Sequence, residues 1–298
     1  MTYREYMPTP ELRPHVRAYF SFTPQSAPSS GNHNVVREVQ FTRDESFCSP
    51  VFADGHASLV MELGGTCQLG EGWSLGTPVR ARVIGPLRTV GGVAGNTRPE
   101  MIGVYFTPGS ALLHVSPLEL TDRIVSLEQI WGSNSRCLAE DIAELTEAAR
   151  VERLEAALLE RLRYTPIVHS SIDVVGIARW IWTDPTSMTV CRLAHAVGVS
   201  RQHLTRVFRQ VVGVSPKRYC RLARFRAALI YAGAGANVQW AQVAAELGYA
   251  DQSHMIAEFR ELSSLTPEML GTQQWFHPFI LEARSRLCKS FPRAGRGR

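Results

Sequence analysis

The sequence predicts an α+β chain in two parts. A β-rich N-terminal domain, sandwich or small barrel, with trailing helices precedes an all-α domain of two helix-turn-helix units joined by a long helix. Three observations predict this. Apolar residues alternate at period two up to Gly109 and recur at intervals of three and four after Ser126. One helical pattern is written twice: "SRQHLTRVFRQVVGVSP" at 200–216 returns as "DQSHMIAEFRELSSLTP" at 251–267. Leu204 and Met255, Phe208 and Phe259, and Pro216 and Pro267 each stand 51 residues apart. Charge is divided as well, with 15 Lys and Arg against 19 Asp and Glu in residues 1–165 and 17 against 8 in residues 166–298.

In the first part, "HASLVMELG" sets Leu59, Met61 and Leu63 on one strand face, and "MIGVYFTPG" does the same with Ile102, Val104 and Phe106 before Pro108-Gly109 ends the run. The Gly-rich stretches "GGTCQLGEGWSLGTP" and "TVGGVAGN" read as turns between short strands, and "SAPSSGNHN" (26–34) as a loop. From Ser126 the pattern is helical. Leu138, Ile142 and Leu145, then Leu154, Leu158 and Leu162, hold helical spacing with a drift in phase near Arg150, which predicts two helices or one bent one. Fewer than three clean heptads favour packing on the preceding core over a dimerising coiled coil. "YTPIVHSS" (164–171) reads as a linker, so the expected domains are 1–165 and 166–275, followed by a basic tail at 276–298.

Several function classes are excluded at this level. No apolar run approaches the ~20 residues needed to span a bilayer, and the opening "MTYREYMPTPELRP" lacks the apolar core of a secretory signal, so a cytoplasmic location is expected. The six cysteines contain no C-x-x-C pair and are expected to be buried free thiols. His33 lacks the second histidine of a cupin metal motif, since Asn34 and Val35 stand in its place. Asp54 and His56 flank Gly55 and read as a turn leading into a strand rather than an acid–base pair. Ser58 and Ser110 sit in no nucleophile elbow. No enzyme, cofactor or metal site is expected.

The helical part carries the chemistry. "IDVVGIARWIW" is amphipathic and ends at Asp184-Pro185, Thr189 can cap the next helix, and Gly198 supplies the positive φ of a sharp turn before the N-cap Ser200. Ala194 is small where two helices must approach, and Leu204, Val207 and Phe208 pin the second helix inward. Its other face presents Arg201, Gln202, Thr205, Arg206 and Arg209. Arg can grip guanine O6 and N7 with two hydrogen bonds, Gln can do the same to adenine, and a Thr methyl can touch thymine. In the second copy Ala244, Gly248 and Asp251 repeat the plan with a turn one residue longer, and the exposed stripe is Gln252, Ser253, Ile256, Ala257 and Arg260. Between the copies, a helix over 215–233 with Pro216 in its first turn spans ~27 Å, against a major-groove repeat of ~34 Å. Lys217, Arg218, Arg221 and Arg224 on it are expected phosphate contacts, with Arg209, His254 and Arg260; Arg226 is another or packs by its stem. From Asp184 to Glu246 no carboxylate intervenes, which favours a polyanion as partner.

Residues 172–271 resemble the C-terminal DNA-binding domain of the AraC/XylS family of bacterial transcription regulators, on the strength of "GVSPKRYCRLARFRAAL" and of "VAAELGYADQSHMIAEF" followed by "LTP". The resemblance implies base contacts at Gln202, Thr205 and Arg206 and, in the second unit, at Gln252, Ser253 and position 257. Arg201 joins the first group by its place on the same stripe. Two departures stand out: Ala257 where the family commonly has Arg, and Ser264 where it commonly has Gly. The first argues against strong readout by the second unit. "FADGHASLVMEL", "IGVYFTPGSALL" and "LTDRIVSLEQIWG" resemble the uncharacterised β-rich domain that precedes the DNA-binding domain in one branch of the family, and no effector follows from it. The expected function is a sequence-specific double-stranded DNA-binding transcription regulator, with a nonspecific or architectural DNA binder as the alternative. Promoter DNA, RNA polymerase in the case of activation, a small-molecule effector and a second copy of the chain are the expected partners.

Overall fold

The period-two segments form strands. β5 (Ser58–Gly64) buries Leu59 and Met61, and β9 (Glu100–Phe106) buries Ile102, Val104 and Phe106. The two pair antiparallel, Leu59 opposite Val104 and Met61 opposite Ile102. In this computed structural model, which describes residues 2–23, 35–40, 47–51, 55–64, 68–69, 81–88, 91–95, 100–165, 172–232 and 238–271, they lie mid-sheet. β1 (Thr2–Tyr6), β2 (Val16–Thr23), β3 (Val35–Gln40), β7 (Ala81–Ile84) and β10 (Ile124–Ser126) complete a seven-stranded antiparallel sheet, order β10-β7-β5-β9-β2-β1-β3. β4 (Phe47–Val51), β6 (Gln68–Leu69) and β8 (Gly91–Gly95) form a three-stranded sheet, order β4-β8-β6. β8 corrects the reading of "TVGGVAGN" as a turn. Glycine weakens a strand by entropy, but here the backbone has ladder partners on both sides, Pro50 opposite Gly92 and Leu69 opposite Val93, and pairing overrides propensity.

After the short helices α1 (Pro117–Leu120) and α2 (Leu127–Trp131), the helical run divides into α3 (Asn134–Ala143) and α4 (Glu147–Arg163). The break at 144–146 accounts for the drift in phase. Leu138, Ile142, Leu154 and Leu158 are buried with Leu59, Met61, Ile102 and Val104 in one core, so these helices pack on the sheet. A polar network fixes the start of α4 to the first strands. Arg4 donates to Glu147 at 2.5 Å, Tyr6 donates to it at 2.8 Å, and Ser21 donates to the same carboxylate. Burial pushes the Glu147 carboxyl up, but the hydrogen bonds from Ser21, Tyr6 and Arg4 outweigh it and hold it below the usual range.

The second half is helical: α5 (Val174–Thr183), α6 (Val190–Ala196), α7 (Arg201–Val212), α8 (Pro216–Ala232), α9 (Trp240–Glu246), α10 (Gln252–Ser263) and α11 (Pro267–Gly271). Two cores share α8. Leu193, Ala194, Leu204, Phe208 and Val212 pack with Ile177 and Ile181 of α5 and with Tyr219 and Ala223 of α8. Val243, Ala244, Met255, Phe259 and Leu262 pack with Leu222, Phe225 and Leu229, which come from other positions of the same helix. At 17 residues, α8 is a rod of ~26 Å.

The N-terminal domain is seated on this half. Ser116 donates to the Gln210 carbonyl at 3.3 Å and Thr121 to the Gly213 carbonyl at 2.9 Å, which sets α1 beside the end of α7. Gly55, at φ +70°, lies so close to the Tyr219 ring that a Cβ would come within 2.8 Å of it. His56 follows, buried, with ring centroids 5.5 Å from Trp182 and 6.0 Å from Tyr219, and its Nε2 is 3.4 Å from the Tyr219 hydroxyl. Gly55 and His56 thus lie against the helical half. Asp54, His33, the loop 26–34, residues 166–171 of the expected linker 164–171 and the tail 276–298 lie outside the described residues. Among the cysteines that are described in full, Cys220 is buried, while Cys137 and Cys191 are exposed, against the expectation of burial, because they fall on the outer faces of α3 and α6.

Candidate nucleic-acid interface

Each helix-turn-helix is built by the same local chemistry. Gly198 (φ +69°) and Gly248 (φ +71°) turn the chain after α6 and α9. The next amide reaches back to the small residue of the first helix, Val199 to the Ala194 carbonyl at 3.0 Å and Tyr249 to the Ala244 carbonyl at 2.9 Å. Ser200 then accepts from the His203 amide at 3.1 Å, and Asp251 from the His254 amide at 2.7 Å, each satisfying an orphan donor at the start of a second helix. The helices end alike. Gly213 and Ser264, also 51 residues apart, take positive φ and cap α7 and α10 by donating to the Arg209 and Arg260 carbonyls at 2.9 Å.

On α7 the apolar stripe Leu204, Phe208 and Val212 is fully buried, which leaves Arg201, Gln202, Arg206 and Arg209 exposed and Thr205 half-buried. Thr205 donates its hydroxyl to the Arg201 carbonyl at 2.8 Å, so its methyl is free to face outward. Arg206 contacts His203 Nδ1 at 3.3 Å, one turn back on the same helix. Among the described residues, Arg201, Arg206, Arg209 and Lys217 form no ion pair. Arg201 Nη1 lies 3.6 Å from Cys191 Sγ, a neutral partner.

α10 differs. Gln252, Ser253, His254, Ala257 and Arg260 are exposed and Ile256 is half-buried. His254 is held edge-on to Tyr249, and its Nδ1 accepts from the Ala250 amide. Two carboxylates of this helix turn toward α8. Buried Glu258 accepts from Arg221 Nε at 2.8 Å and lies 3.7 Å from Arg224 Nη2; Glu261 accepts from Arg218 Nη1 at 2.5 Å and from Arg221 Nη1 at 2.9 Å. Arg224 also sits over the Tyr249 ring, 5.1 Å from its centroid. Hydrogen bonding to Arg221 and Arg218 draws the Glu261 carboxyl down to about 2, and Arg221 is raised in turn, first by Glu261. Three of the four cations expected to grip phosphate from α8 therefore have carboxylate partners inside the protein, and among the described residues Lys217 has none. Arg226 lies over the Trp182 ring at 4.7 Å.

Residues 193–272 match the family described as "Helix-turn-helix domain", which covers α7 to α11 together with most of α6. The chain carries a helix-turn-helix domain of the AraC type. The domain is one of DNA binding and transcription regulation. No curated protein matches the chain. Among solved structures it is similar to ToxT from Vibrio cholerae in an unsaturated fatty acid-bound form, at 12% identity over 79% of this chain and 98% of that one, TM-score 0.43. It is similar too to the C-terminal domain of AraT, a response regulator from Geobacillus stearothermophilus, at 18% identity, 35% and 88% coverage and TM-score 0.32. The C-terminal domain of the two-component response regulator yesN from Fusobacterium nucleatum gives 19%, 33% and 93%, and 0.30.

The cations of this AraC-type domain fall into two groups that composition could not separate, those paired with carboxylates and those with no ion pair among the described residues. Sequence reasoning missed Glu258 and Glu261 as partners of α8 because they lie 34 to 43 residues away from the arginines that they hold. A signal was present, since Glu258 adjoins Phe259 on α10 and Glu261 follows Glu258 after three residues, close to one turn. Among the described residues no group of His, Cys, Asp and Glu is placed to hold a metal, and no helix is long and apolar enough to cross a membrane.

Proposed function

We propose that the protein is a sequence-specific transcription regulator whose base readout is carried mainly by α7. One observation carries this reading: α7 presents exposed Arg201, Gln202 and Arg206 and half-buried Thr205 on one stripe, with no ion pair to the arginines among the described residues, whereas the matching register of α10 has Ile256 and Ala257. Arg and Gln are the side chains that make bidentate contacts to guanine and adenine in the major groove. Arg209 and Lys217 sit at the end of α7 and the start of α8, where cations can fix register on phosphates. Gln252 and Ser253 add polar contacts from the second unit, with His254 and Arg260 toward the backbone. Arg218, Arg221 and Arg224 contribute less to phosphate contact than their number suggests, because each would have to leave a carboxylate.

Binding sites selected with the full-length protein from a randomised duplex pool at physiological salt test the reading. A recovered motif, strongest over the few base pairs under α7, is the expected result. Recovery of no motif, with binding that falls steeply as salt rises, would replace the regulator by an architectural DNA binder. The seat of the N-terminal domain on the end of α7 supports a role in presenting that helix. Its effector, if it takes one, is a matter for ligand screening on the intact chain.

A further inference from the structure

Segment 85–88 of the N-terminal domain reaches into the DNA-binding half. Leu87 is 2% exposed and is buried with Leu222, Phe225, Val243 and Phe259, in the core of the second helix-turn-helix unit. One residue on, the Arg88 carbonyl accepts from Arg218 Nε at 3.0 Å and from Arg218 Nη2. The same guanidinium donates through Nη1 to Glu261 at 2.5 Å. Arg218 thus joins three modules: the N-terminal domain at Arg88, the rod α8 on which it stands, and α10 at Glu261. Both ends are braced. The Arg88 amide donates to Asp122 at 2.7 Å and its guanidinium pairs with the same carboxylate, while Glu261 is shared with Arg221.

The chemistry suits a positioning role. Burial of Leu87 is non-directional and fixes proximity alone. A planar guanidinium with five donors can serve a carbonyl and a carboxylate at once in fixed directions, which a single ammonium cannot. Its side chain is 15% exposed, so water competes weakly for it. We infer that Leu87 and Arg218 are positioning residues that set the second recognition helix relative to the N-terminal domain, so that a change in that domain is felt by the second reading head. The inference rests on the reading of α7 and α10 as DNA-facing helices.

The test uses full-length Arg218→Gln and Glu261→Gln. Affinity is measured over a range of salt for the selected site, for the site scrambled under α10, for the site scrambled under α7, and for random duplex. Both substitutions are expected to reduce the preference for the intact α10 patch by roughly 2- to 30-fold, the span of typical coupling between packed modules, with the α7 preference kept. A phosphate clamp at Arg218 predicts otherwise. Arg218→Gln would then weaken all duplexes alike and make the salt slope shallower by about one, while Glu261→Gln would strengthen them. Opposite signs of that kind would overturn the inference. Amide hydrogen exchange of the free protein supplies a readout independent of DNA. Both variants are expected to raise exchange across 252–263 and leave 201–212 unchanged, and no change at 252–263 would overturn the inference. If the wild-type protein shows no preference under α10, base reading by that helix fails, and exchange alone decides the positioning role.

Discussion

Gly213 is the point where the end of α7 meets the N-terminal domain, and Gly213→Ala measures that contact. The residue has φ +92°, and a Cβ there would lie 2.8 Å from the Pro117 carbonyl oxygen, 2.8 Å from Thr121 Oγ1 and 3.0 Å from Pro86 Cγ. Two costs add. Left-handed backbone disfavours a Cβ by about 1–2 kcal/mol. Overpacking against a backbone carbonyl adds roughly 1–3 kcal/mol, because Pro117 cannot rotate away as a side chain could. Gly198→Ala is the internal control. Its φ is +69° and nothing lies within 4 Å of the added carbon, so only the first cost applies, reduced by the ~0.4–1 kcal/mol gained from a stiffer unfolded chain. Gly213→Ala should therefore cost about 1–3 kcal/mol more than Gly198→Ala in equilibrium denaturation, limited by the docking free energy, since the domains can part instead. That difference corresponds to a Tm lower by ~2–4 °C per kcal/mol for domains of this size. Equal costs for the two substitutions would refute the seat of α7 on residues 86 and 117–121.

Ser264 occupies the place of Gly213 in the second unit and holds φ +59°, so Ser264→Gly is expected to stabilise by about 0.5 kcal/mol, the relief of left-handed strain less the entropy of glycine, read as a higher denaturation midpoint. Arg206→Ala should cost roughly 1–3 kcal/mol on the selected site and relax specificity at one or two base pairs; equal losses on random duplex would remove Arg206 from base readout. Lys217→Ala should weaken specific and random duplexes alike and make the salt slope shallower by about one, as titration at several salt concentrations will show. Glu147 has a folded pKa held below its unfolded value, so its contribution is present above the unfolded pKa, ~4.3, and is lost as pH falls through the lower folded value. Glu147→Gln should reduce stability at neutral pH and flatten the acid limb of unfolding measured between about pH 5 and pH 2.

What was legible in the sequence was local. Leu59, Met61, Ile102 and Val104 announced their strands by alternation, and Thr189, Ser200 and Asp251 announced helix starts, because a cap and its orphan amides lie within three residues of each other. The doubled pattern revealed two units since each must bury the same stripe against α8. The rest is set across the chain. β8 forms because β4 and β6 flank it, which the composition of Gly91–Gly95 alone argues against. The partners of Arg218, Arg221 and Arg224 could not be read from their own window, and a stretch without carboxylates seemed free for phosphate when its neutralising groups lay on α10. His56 read as part of a turn before a strand, but it is buried beside an aromatic pair, Trp182 and Tyr219, that belongs to the other half of the protein.

This division explains why one chain writes the same helix twice with different charge. α7 carries three arginines and no acid, so its outer face can release counterions from a duplex while its inner face buries Leu204 and Phe208. α10 carries Glu258 and Glu261 with Arg260, and its carboxylates are engaged in holding α8. A helix so charged gains little from phosphates on its own, and on the proposed reading it is carried to DNA by the first unit. The rod couples the two units: Tyr219 and Ala223 of α8 lie in the core of the first, and Leu222 and Phe225 in that of the second, so on the proposed reading docking α7 would fix where α10 can fall. Fixing it this way also gives a handle to anything that touches the rod, and Leu87 and Arg88 of the N-terminal domain touch it at Leu222 and Arg218. On the proposed reading, Ala257 in place of Arg weakens the second unit as an independent reader, and by the same measure leaves its position as the variable that the first half of the protein would adjust.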